Sequence, residues 1–279
     1  MAYQRILTIQ DISCVGQCSL TVALPILSAC GHETAALPTA VLSTHTGRFQ
    51  GYTFRDLTDD IPGICAHWER EGLDFSAVYT GYLASARQIA LVRDMIRSRL
   101  RPGGVLIVDP AMADDGRLYS GFGTDVVDAM RTLCAEADYI LPNVTEAALL
   151  AGMDYREKLD LAYAEQLAAG AAASERQTVI LTGVGLEPGK TGFLLWNNGK
   201  SSYYSHEKLN CGGYGTGDVF ASAFTGTLLN GRTAERAARL AADYTARCAA
   251  RTAQDPAHWY GLEFEPELPW LIRRLEDRE

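Results

Sequence analysis

Short apolar runs alternate with amphipathic segments along most of this chain. Six of these runs predict strands: Arg5–Gln10, Glu33–Pro38, Ser76–Thr80, Val105–Val108, Tyr139–Leu141 and Thr178–Leu181. Apolar residues at helical spacing predict the helices between and after them: Ser19–Cys30, Leu57–Glu71, Arg87–Leu100, Asp125–Ala135, Glu146–Ala151 and Asp160–Ala173. Such alternation predicts an α/β fold, with a mostly parallel central sheet and helices on both faces.

The last third of the chain departs from that alternation. Two apolar runs, Gly192–Trp196 and Ser201–Ser205, flank an Asn-Asn-Gly-Lys turn and predict an antiparallel hairpin. A glycine-dense loop, a helix of small residues and a helix over Ala234–Arg251 follow. No Ser/Pro-rich linker interrupts the chain, so we predict a single domain over residues 1–279.

Composition and charge narrow the class of protein. The chain is 47% hydrophobic and 21% charged, as is usual for globular proteins. Its net charge of −9 and scattered basic residues argue against nucleic-acid binding. We expect no membrane segment, no signal peptide and a cytoplasmic location. The seven cysteines form no C-x-x-C pair, so we predict reduced, mostly buried thiols rather than a zinc or redox site.

The run Gly212–Asp218 carries the strongest chemical signal. Four of its residues are glycines, and a small-residue helix pattern follows. Glycines let backbone N–H groups approach an anion, and the helix N-terminus adds its positive dipole end. Asp218 at this junction is suited to take a proton from a hydroxyl while the amides hold a phosphoryl group. The alternative is a glycine turn followed by an Asp cap.

Residues Gly185–Thr191 resemble a P-loop only superficially. The P-loop requires a glycine where this chain has Val184, and Glu187 would oppose a triphosphate. The residues that follow predict a strand, so the helix that a P-loop needs is missing.

Further polar residues follow predicted strands. They are Asp11, Asp109, Asn143 and Thr182, and ligands of open α/β sheets bind at such strand ends. Asn143 and Glu146 also match an ordinary helix cap. The hydroxyl-rich segment Ser43–Thr46, which includes His45, is either a ligand loop or an ordinary polar loop.

Taken in order, six motifs resemble the ribokinase-like superfamily, and within it the pyridoxal kinase and phosphomethylpyrimidine kinase branch. They are Ile9-Gln10 with Val15-Gly16, Ser43-Thr44-His45-Thr46, Gly81-Tyr82-Leu83-Ala84-Ser85, Asp109-Pro110-Ala111-Met112, Asn143-Val144-Thr145-Glu146 and Gly215-Thr216-Gly217-Asp218. The resemblance covers nearly the whole chain. It implies that Asp218 is the catalytic base and that the amides of Gly215, Thr216 and Gly217 form an anion hole.

The resemblance also implies a nucleotide site. Asn143 and Glu146 match the N-x-x-E motif that positions Mg²⁺-bound phosphates. Asp109 would face the metal and the phosphates, so Asp109 and Glu146 are the Mg²⁺ residues, directly or through water or phosphate. Thr182 and Gly183 would approach the nucleotide.

For the acceptor, the resemblance implies that Thr46 and Tyr82 line a vitamin pocket next to Asp218. The loop Asp114–Gly123 would cover the site. Pyridoxal kinases usually carry Ser where this chain has Asp11, and an ionised Asp only accepts hydrogen bonds. We therefore predict that Asp11 binds the substrate and favours pyridoxamine over pyridoxal; the alternative is a turn or cap residue.

The activity implied is ATP-dependent phosphorylation of the 5′-hydroxymethyl group of a B6 vitamer, with Mg²⁺. The resemblance also implies a homodimer and allows a monovalent cation. A hydroxymethylpyrimidine kinase is the first alternative, although that branch often has Cys at the position of Asp218. A sugar or nucleoside kinase and a non-catalytic vitamin- or nucleotide-binding regulator are the others.

Overall fold

The computed structural model describes residues 5–209, 214–255 and 257–277. The chain divides into two compact units. The first unit contains the residues up to Leu57 and those from Glu207 onward, and the second contains Thr58–His206.

The first unit is built on three strands. They are β1 (Arg5–Ser13), β2 (Glu33–Leu42) and β3 (Phe54–Asp56). The strands β1 and β2 pair in parallel, from Arg5 opposite Glu33, and β3 pairs antiparallel with β2. Its helices are α1 (Leu20–Ala29), α7 (Thr216–Leu229), α8 (Ala234–Thr252) and α9 (Leu268–Glu276).

The second unit continues the alternation of strands and helices. Its strands are β4 (Phe75–Thr80), β5 (Leu100–Val108), β6 (Ala113–Asp114), β7 (Arg117–Leu118), β8 (Tyr139–Ile140), β9 (Thr178–Thr182), β10 (Lys190–Asn197) and β11 (Lys200–Glu207). Its helices are α2 (Ile61–Arg70), α3 (Ala86–Arg99), α4 (Thr124–Cys134), α5 (Val144–Ala151) and α6 (Leu161–Ala171). The strands β4, β5, β8 and β9 pair in parallel, and β10 pairs antiparallel with β9. The predicted α/β class with a mostly parallel sheet is confirmed.

The small side chains of α7 explain how that helix is buried. Its middle residues, from Val219 to Thr227, are all buried, and α7 packs against α1 and α8. At Gly226, an added Cβ would lie 2.5 Å from Cys30 Sγ, so the helix can approach α1 only without a side chain there. This packing fixes the direction of α7 and therefore the position of its first turn, where Asp218 lies.

Most predicted elements are present, but several boundaries differ. The strand β1 continues to Ser13, β2 to Leu42, and β5 begins at Leu100, where the sequence predicted a helix end and a Pro-Gly-Gly stop. The sequence did not predict β3, the short hairpin β6–β7 or α9. The strands β3, β6 and β7 have two or three residues each, which is too short for a periodicity to be recognised. The helix α9 was missed although its apolar residues have helical spacing.

The cysteines are unpaired among the described residues. Cys30, Cys134 and Cys248 are buried, Cys18 and Cys65 are half-buried, and Cys14 is exposed. The prediction of buried thiols is therefore correct for three of these six cysteines. Cys211 lies outside the described residues. Within the described part of the chain, no helix has the length and apolar character required to cross a bilayer.

Candidate active site

The helix α7 begins at the glycine loop, as the sequence predicted. Its N-cap is Gly215, which has a φ of 75°. A Cβ at this position would lie 2.4 Å from the carbonyl oxygen of Gln17, so only glycine fits. Because the first N–H groups of a helix have no partner inside it, the amides of Thr216 and Gly217 are suited to an anion. Gly212 and Gly213 lie outside the described residues.

Asp218 lies in the first turn of α7 and is half-buried. The pKa of its carboxyl is raised to about 7, mainly by burial and also by the nearby charge of Asp11. A hydrogen bond from the backbone N–H of Ser19 acts in the opposite direction. A carboxylate with a pKa near neutrality is a suitable general base at physiological pH.

Asp11 lies inside β1 rather than beyond it. The register of the β1–β2 pairing shifts between Gln10 and Ile12, and Asp11 lies at this shift with only 4% of its surface exposed. Its carboxylate accepts a hydrogen bond from the Ser13 hydroxyl at 2.9 Å. Burial raises its pKa, while the hydroxyls of Ser19 and Ser13 lower it. Asp11 is therefore neither a turn residue nor a helix cap.

His45 is held as a neutral ring in the loop after β2. Its Nδ1 accepts the Gly47 N–H at 3.0 Å, so Nε2 carries the proton and donates to the Tyr260 carbonyl at 2.8 Å. Burial lowers its pKa. The ring stacks on Tyr214, with centroids 5.1 Å apart. Thr46, predicted to bind substrate, is exposed in the same loop.

In the second unit, Asp109 follows β5 directly. Its backbone N–H donates to the Thr80 carbonyl at 2.9 Å, and only 8% of the residue is exposed. The position after a parallel strand agrees with the prediction.

Asn143 and Glu146 form a complete capping box at the start of α5. The Asn143 side chain accepts the Glu146 N–H at 2.9 Å, and the Glu146 carboxylate accepts the Asn143 N–H at 2.8 Å. The other Glu146 oxygen accepts the N–H of Met112 at 3.1 Å, and burial raises the pKa of this carboxyl. The capping alternative is thus present, and a phosphate role for the two residues stays a prediction.

The same turn of α5 forms hydrogen bonds with the hairpin β6–β7. Asn143 Nδ2 donates to the Ala113 carbonyl at 2.8 Å, and Thr145 Oγ1 accepts the Gly116 N–H at 2.9 Å. The turn of the hairpin has positive φ at Asp115 and Gly116, which matches a type I′ turn. We call Asn143, Thr145 and Glu146 the hairpin clamp. The sequence places Thr145 inside the Asn143–Glu146 motif but does not reveal its partner, because Gly116 is distant in the chain.

The remaining predicted residues have defined positions. Thr182 ends β9, where its N–H donates to the Pro142 carbonyl at 2.9 Å and places it beside Asn143. Gly183 follows with a φ of 73°, and a Cβ added there would have no atom within 4 Å. Tyr82 stacks on Phe122 in the predicted cover loop, with ring centroids 5.5 Å apart.

The segment that superficially resembles a P-loop is a turn between strands. Lys190 begins β10 and its ammonium pairs with Glu187 at 2.8 Å. The predicted strand after this turn is confirmed, so the segment lacks the helix of a P-loop.

The donor set suits Mg²⁺ bound together with phosphates. Mg²⁺ is usually held by one or two carboxylates with waters and substrate phosphates, and not by a protein cage. Among the described residues, no cluster of three or more His, Cys, Asp or Glu side chains forms such a cage. The predicted Mg²⁺ residues, Asp109 and Glu146, would supply the carboxylates. Glu146 Oε1 accepts the N–H groups of Met112 and Ala113, at 3.1 and 3.5 Å, whereas Oε2 accepts only that of Asn143 and keeps a second lone pair.

Residues 27–261 match the family model described as phosphomethylpyrimidine kinase. The chain belongs to this kinase family. The predicted resemblance to the ribokinase-like pyridoxal and phosphomethylpyrimidine kinases is therefore confirmed. The matched residues begin within α1, so Asp11 and Ser19 lie outside the region that shows the family.

Relatives of this phosphomethylpyrimidine kinase family member match almost end to end. The pyridoxine/pyridoxal/pyridoxamine kinase of Bordetella avium is 28% identical, over 94% of this chain and 93% of the relative. A Bacteroides thetaiotaomicron protein that carries the same family name is 33% identical, with a TM-score of 0.91 over 100% of this chain and 96% of its own. A second crystal form of that protein contains pyridoxal. The pyridoxal kinase of Lactobacillus plantarum is 31% identical, with a TM-score of 0.90 over 99% of both chains.

Proposed function

We propose that this protein is an ATP-dependent kinase that phosphorylates the 5′-hydroxymethyl group of a B6 vitamer. The observation that carries the proposal is Asp218, whose pKa is raised to about 7 in the first turn of a helix that starts at a glycine loop. Near end-to-end similarity to pyridoxal kinases supports the choice of acceptor.

Asp218 acts as the general base in this proposal. It takes the proton of the acceptor hydroxyl as the oxygen attacks the terminal phosphorus of ATP in line. General-base catalysis contributes about 10²–10⁴-fold. The amides of Gly215, Thr216 and Gly217 stabilise charge on the transferred phosphoryl group, because their N–H groups are fixed in the first turn of α7 before substrate arrives.

The second unit is proposed to bind the nucleotide. Asp109, Asn143 and Glu146 would hold the phosphates and Mg²⁺, and Thr182 and Gly183 would lie beside the nucleotide. Bound Mg²⁺ supplies neutralisation of phosphate charge. The hairpin clamp supports this assignment, since it holds the backbone of residues 112–116 against the start of α5.

Asp11 is proposed to select the vitamer. It is a buried carboxylate in electrostatic reach of Asp218, and no salt bridge within the described residues neutralises it. A protonated aminomethyl group would supply the missing positive charge. The proposal is therefore that pyridoxamine is favoured over pyridoxal.

Two wider assignments are also proposed. The family resemblance supports a homodimer and a cytoplasmic location. Light scattering of the purified protein tests the first, and a mass equal to one chain, 30.3 kDa, would contradict it.

The function is tested by measuring ATP consumption with pyridoxal, pyridoxamine, pyridoxine, hydroxymethylpyrimidine and several sugars. The expected result is turnover with the B6 vitamers and formation of their 5′-phosphates, with Asp218→Asn as the inactive control. A preference for hydroxymethylpyrimidine would identify the alternative kinase. ATP and vitamin binding without turnover would identify the non-catalytic regulator.

A further inference from the structure

The turn before α1 is the most strained described segment of the first unit. Gly16 has a φ of 122°, Gln17 of 48° and Ser19 of 56°. Ser19 combines its positive φ with a ψ of −129°, a region that residues other than glycine rarely occupy. Such backbone persists only where the surroundings hold it, and it is concentrated at functional sites.

The side chain of Gln17 is the anchor of this turn. Its amide nitrogen donates to both carboxylate oxygens of Glu265, at 2.9 and 3.1 Å. Its amide oxygen lies 2.6 Å from Nε2 of His258. Gly261 also lies against it, since a Cβ there would be 2.8 Å from Gln17 Cβ. Both ends of the amide are therefore engaged.

The segment that holds Gln17 is itself fixed to α8. We call residues 257–267 the C-terminal brace. The Phe264 carbonyl accepts the buried Tyr244 hydroxyl at 2.9 Å, and the Glu263 N–H donates to Thr252 Oγ1 at 2.9 Å. Arg251 pairs with Glu263 at 3.1 Å. The brace is therefore a firm support for Gln17.

The other end of the turn reaches the catalytic base. The Gln17 carbonyl lies where a Cβ of Gly215 would be, so the turn packs directly on the N-cap of α7. Two residues further on, Ser19 faces both acidic groups: its backbone N–H lowers the pKa of Asp218, and its hydroxyl lowers the pKa of Asp11. A shift of the turn would move both donors.

We propose that Gln17 is a positioning residue for phosphoryl transfer: anchored by Glu265 and His258, it holds the Ser19 N–H on the Asp218 carboxylate. The inference rests on the proposed function. It assigns a role to a residue that touches neither substrate nor ATP in the proposed mechanism and acts only through Ser19.

The consequence concerns the pH at which the base is ionised. The groups that face Asp218 among the described residues are Asp11 from β1, and Cys18 and Ser19 from the turn. Burial raises the pKa of the Cys18 thiol, which therefore stays neutral. Burial and the charge of Asp11 disfavour the carboxylate form of Asp218, and the Ser19 N–H favours it. Loss of that N–H therefore raises the pKa of Asp218, and the acidic limb of the kcat/KM profile moves to higher pH.

The test compares Gln17→Glu with the double variant Gln17→Glu/Glu265→Gln. The single change places two carboxylates against each other and releases the anchor. The double change restores a donor–acceptor pair in the reversed direction. We expect the single variant to lose about tenfold in kcat/KM at pH 7, with the acidic limb raised by about one pH unit, because a hydrogen bond to a charged group is of that strength. The double variant should recover most of both.

Glu265→Ala and Glu267→Ala provide a matched pair should Gln17→Glu fold poorly. The two carboxylates flank the same short turn, but Glu265 bonds Gln17 whereas Glu267 bonds Arg247 at 2.8 Å. Only Glu265→Ala should move the acidic limb of the kcat/KM profile to higher pH. The inference would be overturned if the wild-type enzyme is active and both Gln17→Glu and Glu265→Ala keep the acidic limb of its kcat/KM profile at the wild-type pH. A wild-type protein that phosphorylates no B6 vitamer would overturn the proposed function instead.

Discussion

The backbone N–H of Ser19 faces the carboxylate of Asp218 and lowers its pKa. The hydroxyl of the same residue lowers the pKa of Asp11, so one strained residue acts on two acidic side chains. Asp11 and Asp218 are thereby held near each other with their pKa values raised, mainly by burial.

Asp218→Asn should lower kcat by about 10²–10⁴-fold, since the variant loses the general base but keeps an acceptor for the Ser19 N–H. Steady-state kinetics with saturating ATP and vitamer measure the loss. ATP affinity, measured by calorimetry, should stay within a few-fold of wild type. Turnover close to wild type would remove Asp218 from the role of base.

The same variant should change the pH dependence of stability. The pKa of Asp218 is raised from 3.8 to about 7, so the folded state binds its proton more tightly than the unfolded state. This contribution to stability is present below about pH 4 and is lost as the pH rises through 7. The melting temperature of Asp218→Asn should therefore match wild type near pH 4 and exceed it near pH 8. An equal difference at both values would contradict the shifted pKa.

Asp11→Ser should reduce the preference for pyridoxamine over pyridoxal by about tenfold, because the buried carboxylate that would pair with the ammonium is lost. The measurement is the ratio of kcat/KM for the two vitamers. Asp11→Asn serves as control, as it keeps the size of the side chain and removes the charge. An unchanged ratio in both variants would show that Asp11 does not select the vitamer.

Gly215→Ala should destabilise the protein by about 1–3 kcal/mol, because the added Cβ would lie 2.4 Å from the Gln17 carbonyl oxygen at a φ of 75°. Gly217→Ala is the matched change two residues later, where a Cβ meets open space inside the helix. It should leave stability unchanged or raise it by about 0.5–1 kcal/mol. Urea denaturation measures both, and equal losses would mean that the fit at Gly215 is not specific.

Thr145→Val should loosen the hairpin β6–β7, since the N–H of Gly116 loses its acceptor. The strands of this hairpin have two residues each, so the hairpin depends on the clamp. Hydrogen exchange should show faster exchange at residues 112–118 in Thr145→Val but not in Thr145→Ser, which keeps the hydroxyl. Equal exchange in the two variants would assign the hairpin's stability to other contacts.

The predictable part of this molecule is the part with local signals. The wholly apolar run from Val105 to Val108 and the helical spacing of Ala234–Arg251 both predict elements that the structure contains. Asn143 and Glu146 are three residues apart, so their pairing could be derived from spacing alone. Asp218 was identified because its glycine-rich context is contiguous in the chain.

The unpredicted part depends on partners that are distant in sequence. Gln17 and Glu265 are 248 residues apart, and Thr145 meets Gly116 across 29 residues. Asp11 was expected after the first strand, but β1 continues to Ser13 through its pairing with β2 and therefore includes Asp11. Edge elements such as β3 form by pairing with a neighbouring strand, and their own residues carry little periodicity.

The proximity of Asp11 to Asp218 has a thermodynamic consequence. The charge of Asp11 raises the pKa of Asp218, so a ligand cation that neutralises Asp11 makes Asp218 easier to deprotonate. By linkage, the deprotonated form of Asp218 must strengthen the binding of that same cation by an equal factor. Binding of an amine-bearing acceptor would thus lower the pKa of Asp218 and favour its basic form, whereas binding of an uncharged acceptor would not.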